Sequence, residues 1–447
     1  MIFSKNSLSS EKRAAKVYRF FPAEAGRAVN FRKENKTLLK CAGISVFAAL
    51  PEGVRAEKLY ASGKTLFAWC DDKKIYSSEG GAFLAHESVF AAAPAFCEAF
   101  DGSAAAPFFS DGEKTYVFLS GTLYAANVSP FTAACYAYER LWIFGGGKLK
   151  FSAPLAYDDF SVRKDGGGEI EAPDGAGGVL ALVPFENKIM IFREQGVQTL
   201  DVRGEPTDFC LRDAALFSEH ILKDTIVCGG GNVWFCTDAG AYRGKGESFS
   251  RLQAPEGISA RGICGAYAEG CYQLSARSAA GETYLLRFKE NTEVFRAEIS
   301  DVCGYGNACA FLRDGQACEW SADGAPLVSV WESGACDLGE ARNKVLERVI
   351  VRGRGNFLLR VQGGRRSRIA PVRFKDGRAE IYAGLYGDVF RLTLETDAAD
   401  AALGEIDCLL SLIHISQRSP PSLRRSDHLL RAAFRTGSYT ARPPKYC

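Results

Sequence analysis

The chain has 447 residues, of which 47% are hydrophobic, 12% aromatic and 24% charged. Its formal net charge of +2 gives no electrostatic reason to expect a nucleic-acid-binding protein. The start, MIFSKNSLSSEKRAAKVYRFF, lacks the apolar core of an export signal, and no run approaches about 18 apolar residues, so the sequence predicts neither a classical secretion signal nor a membrane span.

Residues 1–39 are interpreted as an N-terminal segment that precedes the main domains. Its stretch SSEKRAAKVYRFFPAEAGRAV, at 9–29, is the one place where we expect a long amphipathic helix. The rest of the chain is rich in aromatic residues and glycines and poor in methionine, a composition that favours β structure.

Seven predicted β-hairpins follow one another between residues 40 and 325. In each, an apolar strand meets a turn of Gly, Asp, Asn or Ser and a second strand returns. The hairpins cover 64–78, 114–127, 140–153, 187–202, 231–244, 270–288 and 308–324. Most turns fall about 35 to 49 residues apart, the repeat length of propeller blades. We predict an all-β chain with a β-propeller of six or seven blades at 40–325, and an array of β-sandwiches is the alternative.

Residues 326–408 show apolar and polar residues in alternation, as in LERVIVRG and FLLRVQ. This pattern is typical of strands with one solvated face, and we predict a small antiparallel β-sandwich here.

The tail, 409–447, differs from the rest in composition. It carries seven basic residues and one acid, so the 48 basic and 52 acidic residues of 1–408 leave that part at −4. Its segment LSLIHIS, 410–416, resembles the translation of a sequencing-library adapter. We therefore interpret the residues from about 409 as a non-native, disordered tail, and a native basic arm that binds nucleic acid is the alternative.

Two triple glycines raise the question of a phosphate-binding loop. GGGKLKFS, at 145–152, lacks the Walker spacing, and its KLKFS continues as a strand. CGGGNVWF, at 228–235, has no lysine. Both are interpreted as hairpin turns, and no cofactor is predicted.

Fifteen cysteines lie mostly in apolar strand-like runs, and none forms a C-x-x-C pair. They are interpreted as buried free thiols rather than a disulfide framework or a zinc site, so no metal is predicted.

Paired carboxylates would support a glycoside-cleaving propeller, and the candidates are Asp158, Asp159, Asp238 and Glu332. Acidic residues mark turns throughout the chain, so we interpret these four as turn residues and predict no enzyme. A carbohydrate-binding or glycoside-cleaving propeller is the alternative.

An arginine-rich stretch within 348–378 is the one candidate site, an interaction patch for DNA or an acidic partner. Its members are Arg348, Arg352, Arg354, Arg360, Arg365, Arg366 and Arg368, with Arg373 and Arg378 beside them. Solvated strand faces would explain the same pattern.

The stretch RLWIFGGGKLKFSAPLAYDDF, at 140–160, resembles a blade of phage virion β-propeller proteins of the head–tail and tail apparatus. It shares with them an aromatic strand, a turn, a strand that ends in Ser, a Pro-containing loop and the pair Asp-Phe. Three further segments are similar to the same virion proteins: GGVLALVPFENKIMIFREQGVQTLDV, DLGEARNKVLERVIV and FRLTLET. The resemblance implies a non-enzymatic structural component of a phage or prophage particle. Its partners would be other virion proteins or further copies of itself, in the virion or in the bacterial cytoplasm during assembly.

Overall fold

The computed structural model describes residues 15–412, apart from 25, 101–103, 164–165, 172–174, 255–260, 279 and 290–291. Nearly all regular structure in this part is β-strand, with two single-turn 3-10 helices. The first five strands are β1 (Ala15–Phe20), β2 (Arg27–Val29), β3 (Phe31–Glu34), β4 (Thr37–Lys40) and β5 (Gly43–Val46).

Twenty-seven strands follow in groups. The first sheet holds β6 (Ala56–Ser62), β7 (Thr65–Cys70), β8 (Lys74–Ser78) and β9 (Leu84–Val89). The second holds β10 (Ala95–Phe100), β11 (Ala105–Ser110), β12 (Thr115–Leu119) and β13 (Thr122–Ala125). The third holds β14 (Ala133–Ala137), β15 (Arg140–Gly145), β16 (Lys148–Phe151) and β17 (Gly168–Glu171). The fourth holds β18 (Val179–Phe185), β19 (Lys188–Arg193), β20 (Gly196–Asp201) and β21 (Cys210–Leu216).

The fifth sheet holds β22 (Val227–Gly229), β23 (Asn232–Thr237), β24 (Gly240–Lys245) and β25 (Ser248–Arg251). The sixth holds β26 (Arg261–Ala268), β27 (Cys271–Arg277), β28 (Thr283–Phe288) and β29 (Thr292–Arg296). The seventh holds β30 (Asp301–Tyr305), β31 (Ala308–Arg313), β32 (Gln316–Ser321) and, as its fourth strand, β5. The helices, η1 (Pro206–Asp208) and η2 (Lys223–Thr225), flank β21.

Within the described residues, these seven four-stranded antiparallel sheets form a closed ring. Their first strands contact one another in order, β10 with β14, β14 with β18, and onward to β26 with β30 and β30 with β6. Aromatic side chains join the first sheet to the second, with the ring centroids of Phe67 and Phe109 5.1 Å apart. The architecture is therefore all-β and agrees with a β-propeller.

Second strands of these sheets are rich in apolar residues because both of their faces are covered. In β7 the residues 66–70 are all buried, and in β19 so are residues 189–193. Branched and aromatic side chains suit such strands, which pack against the neighbouring sheet on each side.

The last seven strands are β33 (Ser329–Glu332), β34 (Lys344–Arg354), β35 (Asn356–Gly363), β36 (Arg366–Arg373), β37 (Arg378–Gly387), β38 (Phe390–Thr396) and β39 (Ala402–Leu412). They build two larger sheets with the N-terminal strands. A six-stranded sheet has the order β3-β4-β39-β34-β37 with β1 also on β39, and a five-stranded sheet has the order β2-β33-β38-β35-β36. Both sheets contribute to one hydrophobic core, in which Phe20 of β1 and Trp331 of β33 have ring centroids 5.7 Å apart.

All seven predicted hairpins are confirmed, one in each four-stranded sheet. The triple glycine at 145–147 forms the turn between β15 and β16, where Gly146 and Gly147 have φ of +58° and +78°. Two positive φ angles in a two-residue turn match the right-handed twist of the strands, which explains the glycines without a phosphate.

The N-terminal segment differs from its prediction. The helix expected at 9–29 is wrong over the described part, because residues 15–20 and 27–29 are strands β1 and β2. Strands β1, β2 and β4 pair with strands from the C-terminal region, so the described part of the N-terminal segment belongs to the two larger sheets. A local pattern cannot show this, since the partners lie more than 300 residues away.

Strand β39 also crosses the predicted boundary at 408/409. Ile406, Cys408 and Leu410 alternate on the buried face of β39, and the strand continues to Leu412. Residues 409–412 therefore belong to a sheet rather than to a disordered tail, because their alternation fits the strand period. Residues 413–447 lie outside the described part.

The described cysteines are free thiols, and most are buried as predicted; Cys228 is exposed. Burial raises the pKa of Cys97 to about 12, so this thiol stays protonated at neutral pH.

Candidate functional site

The arginine-rich stretch is divided between the two larger sheets. Arg348, Arg352 and Arg354 lie on β34 of the six-stranded sheet, whereas Arg360, Arg366 and Arg368 lie on β35 and β36 of the five-stranded sheet. Strand order therefore divides these arginines between two sheets, whose edge strands β36 and β37 lie beside each other.

Arginines on β34 are already paired. Arg348 is 2.7 Å from Glu380, and Arg352 is 2.8 Å from Glu405 and 3.0 Å from Asp407. Arg354 donates a hydrogen bond to the carbonyl of Asp400. Arg348 and Arg352 thus have acidic partners within the sheet, whereas Arg354 bonds a backbone carbonyl.

Asp407 lies at the centre of this charged face. Its burial disfavours ionisation, but hydrogen bonds from Arg19 and Arg352 outweigh burial and hold the pKa of Asp407 below its usual value. The face of β34 is therefore a structural ion-pair network rather than a free basic surface.

The arginines of the β35–β36 hairpin are different. Among the described residues, no acidic side chain forms an ion pair with Arg360, Arg365, Arg366, Arg368 or Arg373. All five are exposed. Strand β36 is an edge of the five-stranded sheet, and no other described strand pairs with its outer side, so these side chains lie around an unpaired edge.

Hairpin geometry fixes where the arginines stand. The turn between β35 and β36 consists of Gly364 and Arg365, and Gly364 has φ of +57°. Glycine at the first position is the requirement of a tight hairpin turn of this kind. The register then places Arg360 opposite Ile369 and Leu358 opposite Pro371 on the outer face.

Exposed apolar residues lie among these arginines. Leu358 is 42% exposed and Ile369 is 51% exposed. Tyr382 of β37, on the adjacent edge of the six-stranded sheet, is 61% exposed, and the guanidinium of Arg368 lies 5.5 Å from the centre of its ring. We call these residues the arginine edge: Leu358, Arg360, Arg365, Arg366, Arg368, Ile369, Arg373 and Tyr382. Alternation along the strands places Leu358, Arg360, Ile369 and Arg373 on the outer face of the five-stranded sheet, and Arg366 and Arg368 on the side towards β37.

A second charged group lies inside the ring. Lys58 of β6 forms an ion pair with Asp224 of η2, and Lys223 donates to the carbonyl of Thr132, 3.1 Å away. Helix η2 also contacts β23 and β26. A turn that touches the first, third, fifth and sixth sheets at once lies in the central opening and braces opposite sides of the ring.

Asp301, the first residue of β30, adjoins this group. One of its carboxylate oxygens accepts a hydrogen bond from the Leu59 amide at 2.7 Å. Burial raises the pKa of Asp301 to about 6, against the Leu59 hydrogen bond and the positive charge of Lys58, which lower it. No local sequence pattern predicts this cluster, because Lys58, Asp224 and Asp301 come together only when the ring closes.

Two joined clefts separate the ring from the five-stranded sheet. They measure about 920 and 860 Å³ and share Arg27 and Glu332 on the sheet side. Tyr284 of the sixth sheet faces them and accepts a hydrogen bond from Arg27. The clefts therefore mark the junction between the two parts of the molecule.

The four acids of the glycosidase hypothesis lie in three different places. Asp158 and Asp159 follow β16, Asp238 lies in the β23–β24 turn, and Glu332 is on β33. Asp159 bonds Ser161 and Arg163, and Asp238 lies 3.9 Å from Arg261. Asp159 and Asp238 thus each have a structural contact.

Within the described residues, no group of three or more His, Cys, Asp or Glu side chains is placed to hold a metal ion. In the same part of the chain, no helix has the length and apolar character that crossing a membrane requires.

No protein-family model and no curated protein matches the chain. Solved structures with a similar fold include the WD40 repeats of RRP9, at 12% identity and a TM-score of 0.42, covering 63% of this chain and 98% of that one. PorZ, a surface component of the type-IX secretion system of Porphyromonas gingivalis, matches at 11% identity and a TM-score of 0.43, covering 80% of this chain and 60% of that one. The Pan2 WD40 domain of Neurospora crassa matches at 10% identity and a TM-score of 0.44, with 63% and 95% covered.

Proposed function

We propose that the protein is a non-enzymatic structural component of a phage or prophage particle, placed at the head–tail connection or in the tail. In this role it acts as a rigid scaffold that docks other virion proteins. Residues 140–160 and the later segments resemble virion propeller proteins, and this resemblance supports the assignment to a phage or prophage particle. The arginine edge is the observation that carries the docking role, because no acidic side chain of the described residues forms an ion pair with its five exposed arginines, which leaves a charged surface for another molecule.

In the proposed architecture, the seven four-stranded sheets are the blades of a seven-bladed propeller. The six- and five-stranded sheets are the two layers of a β-sandwich that share one core. Strand β5 closes the seventh blade with residues from before the first blade, and β1 to β4 lie in the sandwich. The first and last described strands, β1 and β39, thereby pair with each other, which suits a rigid scaffold.

Partners in this proposal are other virion proteins or further copies of the chain, in the virion or in the bacterial cytoplasm during assembly. Function comes from fixed surfaces, so no cofactor takes part.

Mass spectrometry of gradient-purified particles from a host that carries the gene tests this proposal. We expect peptides from residues 15–408 at a constant ratio to the other structural proteins of the particle. A chain that stays in the soluble fraction and binds sugars on a glycan array would replace the proposal with a carbohydrate-binding function.

A further inference from the structure

The arginine edge combines features that point to one kind of partner. Residues 356–378, which span β35, β36 and the loop to β37, hold seven basic residues and one acid, a local charge of +6. The remainder of 1–408 holds 41 basic and 51 acidic residues, a charge of −10. This hairpin thus carries a net positive charge on a body that is otherwise net negative.

Exposed apolar side chains occupy the middle of this surface. On the outer face of β35 and β36, Ile369 stands directly opposite Arg360, and Leu358 is the next outward residue along β35. Arginine, tyrosine and apolar side chains at the centre of an exposed patch are the composition of protein interfaces. Leu358 and Ile369 would lose contact with water only against a partner that offers apolar groups of its own.

The edge of β36 is unsuited to pairing with another strand. Pro371 has no amide hydrogen to donate, and charged residues at both ends of the strand oppose edge-to-edge association. A partner therefore binds through side chains rather than by adding a strand.

We infer that the arginine edge is a docking surface for an acidic protein segment that carries apolar residues between its carboxylates. The inference rests on the proposed docking function and names the chemistry of its partner. Carboxylates would meet Arg360 and Arg373, while apolar groups would cover Leu358 and Ile369. Nucleic acid suits the surface less well, because a phosphate backbone offers nothing to the exposed apolar pair and the rest of the body is negative.

Titration of the full chain with three probes tests the inference. The probes are polyglutamate, a peptide of the same length in which every third Glu is Leu, and a DNA duplex. We expect the Leu-containing peptide to bind at least about tenfold more tightly than polyglutamate, because it alone covers the apolar pair. Tighter binding of the duplex, with the steep salt dependence of phosphate contacts, would overturn the inference in favour of nucleic acid.

Variants locate the binding. Arg360→Gln with Arg373→Gln should weaken peptide binding about tenfold or more, and Ile369→Ser should remove the advantage of the Leu-containing peptide over polyglutamate. The matched control is Arg163→Gln with Arg203→Gln, which removes the same charge from exposed, paired arginines of the ring. Because every variant keeps the basic residues of 413–447, their contribution cancels in the comparison.

An equal loss of peptide affinity in the control and in the Arg360/Arg373 variant would show that only net charge matters. It would refute the docking surface. Thermal unfolding of each variant confirms that the fold is kept, since all five positions are on the surface. If the chain is found in particles but the variants bind peptide normally, the inference alone fails. If the variants behave as expected but the chain is absent from particles, the proposed particle function alone fails.

Discussion

At the scale of single residues, two aspartates show how the same side chain responds to opposite surroundings. Asp407 is held ionised by Arg19 and Arg352, so its pKa is lowered. Asp301 has one amide donor and a lysine nearby, but burial dominates and raises its pKa from 3.8 to about 6. The two groups therefore make opposite contributions to the pH dependence of stability.

The folded state holds the proton on Asp301 more tightly than the unfolded chain does. Its contribution to stability is therefore present below about pH 3.8 and is lost as the pH rises to about 6, at a cost of about 3 kcal/mol. We predict that Asp301→Asn, which keeps an acceptor for the Leu59 amide, raises the free energy of unfolding at pH 7 by about 1–3 kcal/mol.

Urea unfolding of both proteins from pH 4 to pH 7 provides the measurement. The difference between variant and parent should grow as the pH rises, because the parent alone pays for ionising the buried carboxyl. A difference that is constant across this range would show that Asp301 does not titrate there.

The sequence predicted an arginine-rich interaction patch but not which of its arginines form ion pairs. Arg348 and Arg360 look alike in the sequence, and both stand at exposed strand positions. They differ because Glu380 lies on the strand beside β34, whereas β36 brings no acid to Arg360. Such pairing depends on strand order, which a local pattern does not contain.

At the scale of elements, the hairpins were predictable and the closing strand was not. Turn glycines and alternating apolar residues are local signals, and they identified one hairpin in each four-stranded sheet. Strand β5 joins β32, some 270 residues later, through the pairs Val46–Cys318 to Gly43–Ser321. No local signal links a four-residue strand to a partner so far along the chain.

Packing at Gly43 tests this closure. A Cβ atom there would lie 2.3 Å from the carbonyl oxygen of Gly324, which is backbone and cannot rotate away. We predict that Gly43→Ala lowers the free energy of unfolding by about 1–3 kcal/mol, because the closing strand must shift. Chemical denaturation measures the effect.

Gly81→Ala is the matched control, because an added Cβ at Gly81 meets nothing within 4 Å. It should change stability by less than about 0.5 kcal/mol. If Gly43→Ala were as stable as this control, β5 would not be packed in the seventh sheet.

At the scale of the whole molecule, the charge and the fold together define the proposed function. The ring and the two larger sheets form one compact unit over residues 15–412, within which the chain crosses between them after β4 and again before β33. The arginine edge lies on β35, β36 and β37, of which β36 and β37 are edge strands of the two larger sheets. A negative body with one positive edge is polarised, and polarised surfaces orient a protein on its partners.

Electron cryo-microscopy of purified particles would show directly whether the protein is a particle component that docks through the arginine edge. We expect density for a seven-bladed ring with a two-layered β domain. We also expect a neighbouring protein whose acidic and apolar side chains lie against Arg360 and Ile369. A map in which the chain is present but its arginine edge faces solvent, or in which no such ring appears, would contradict this proposal.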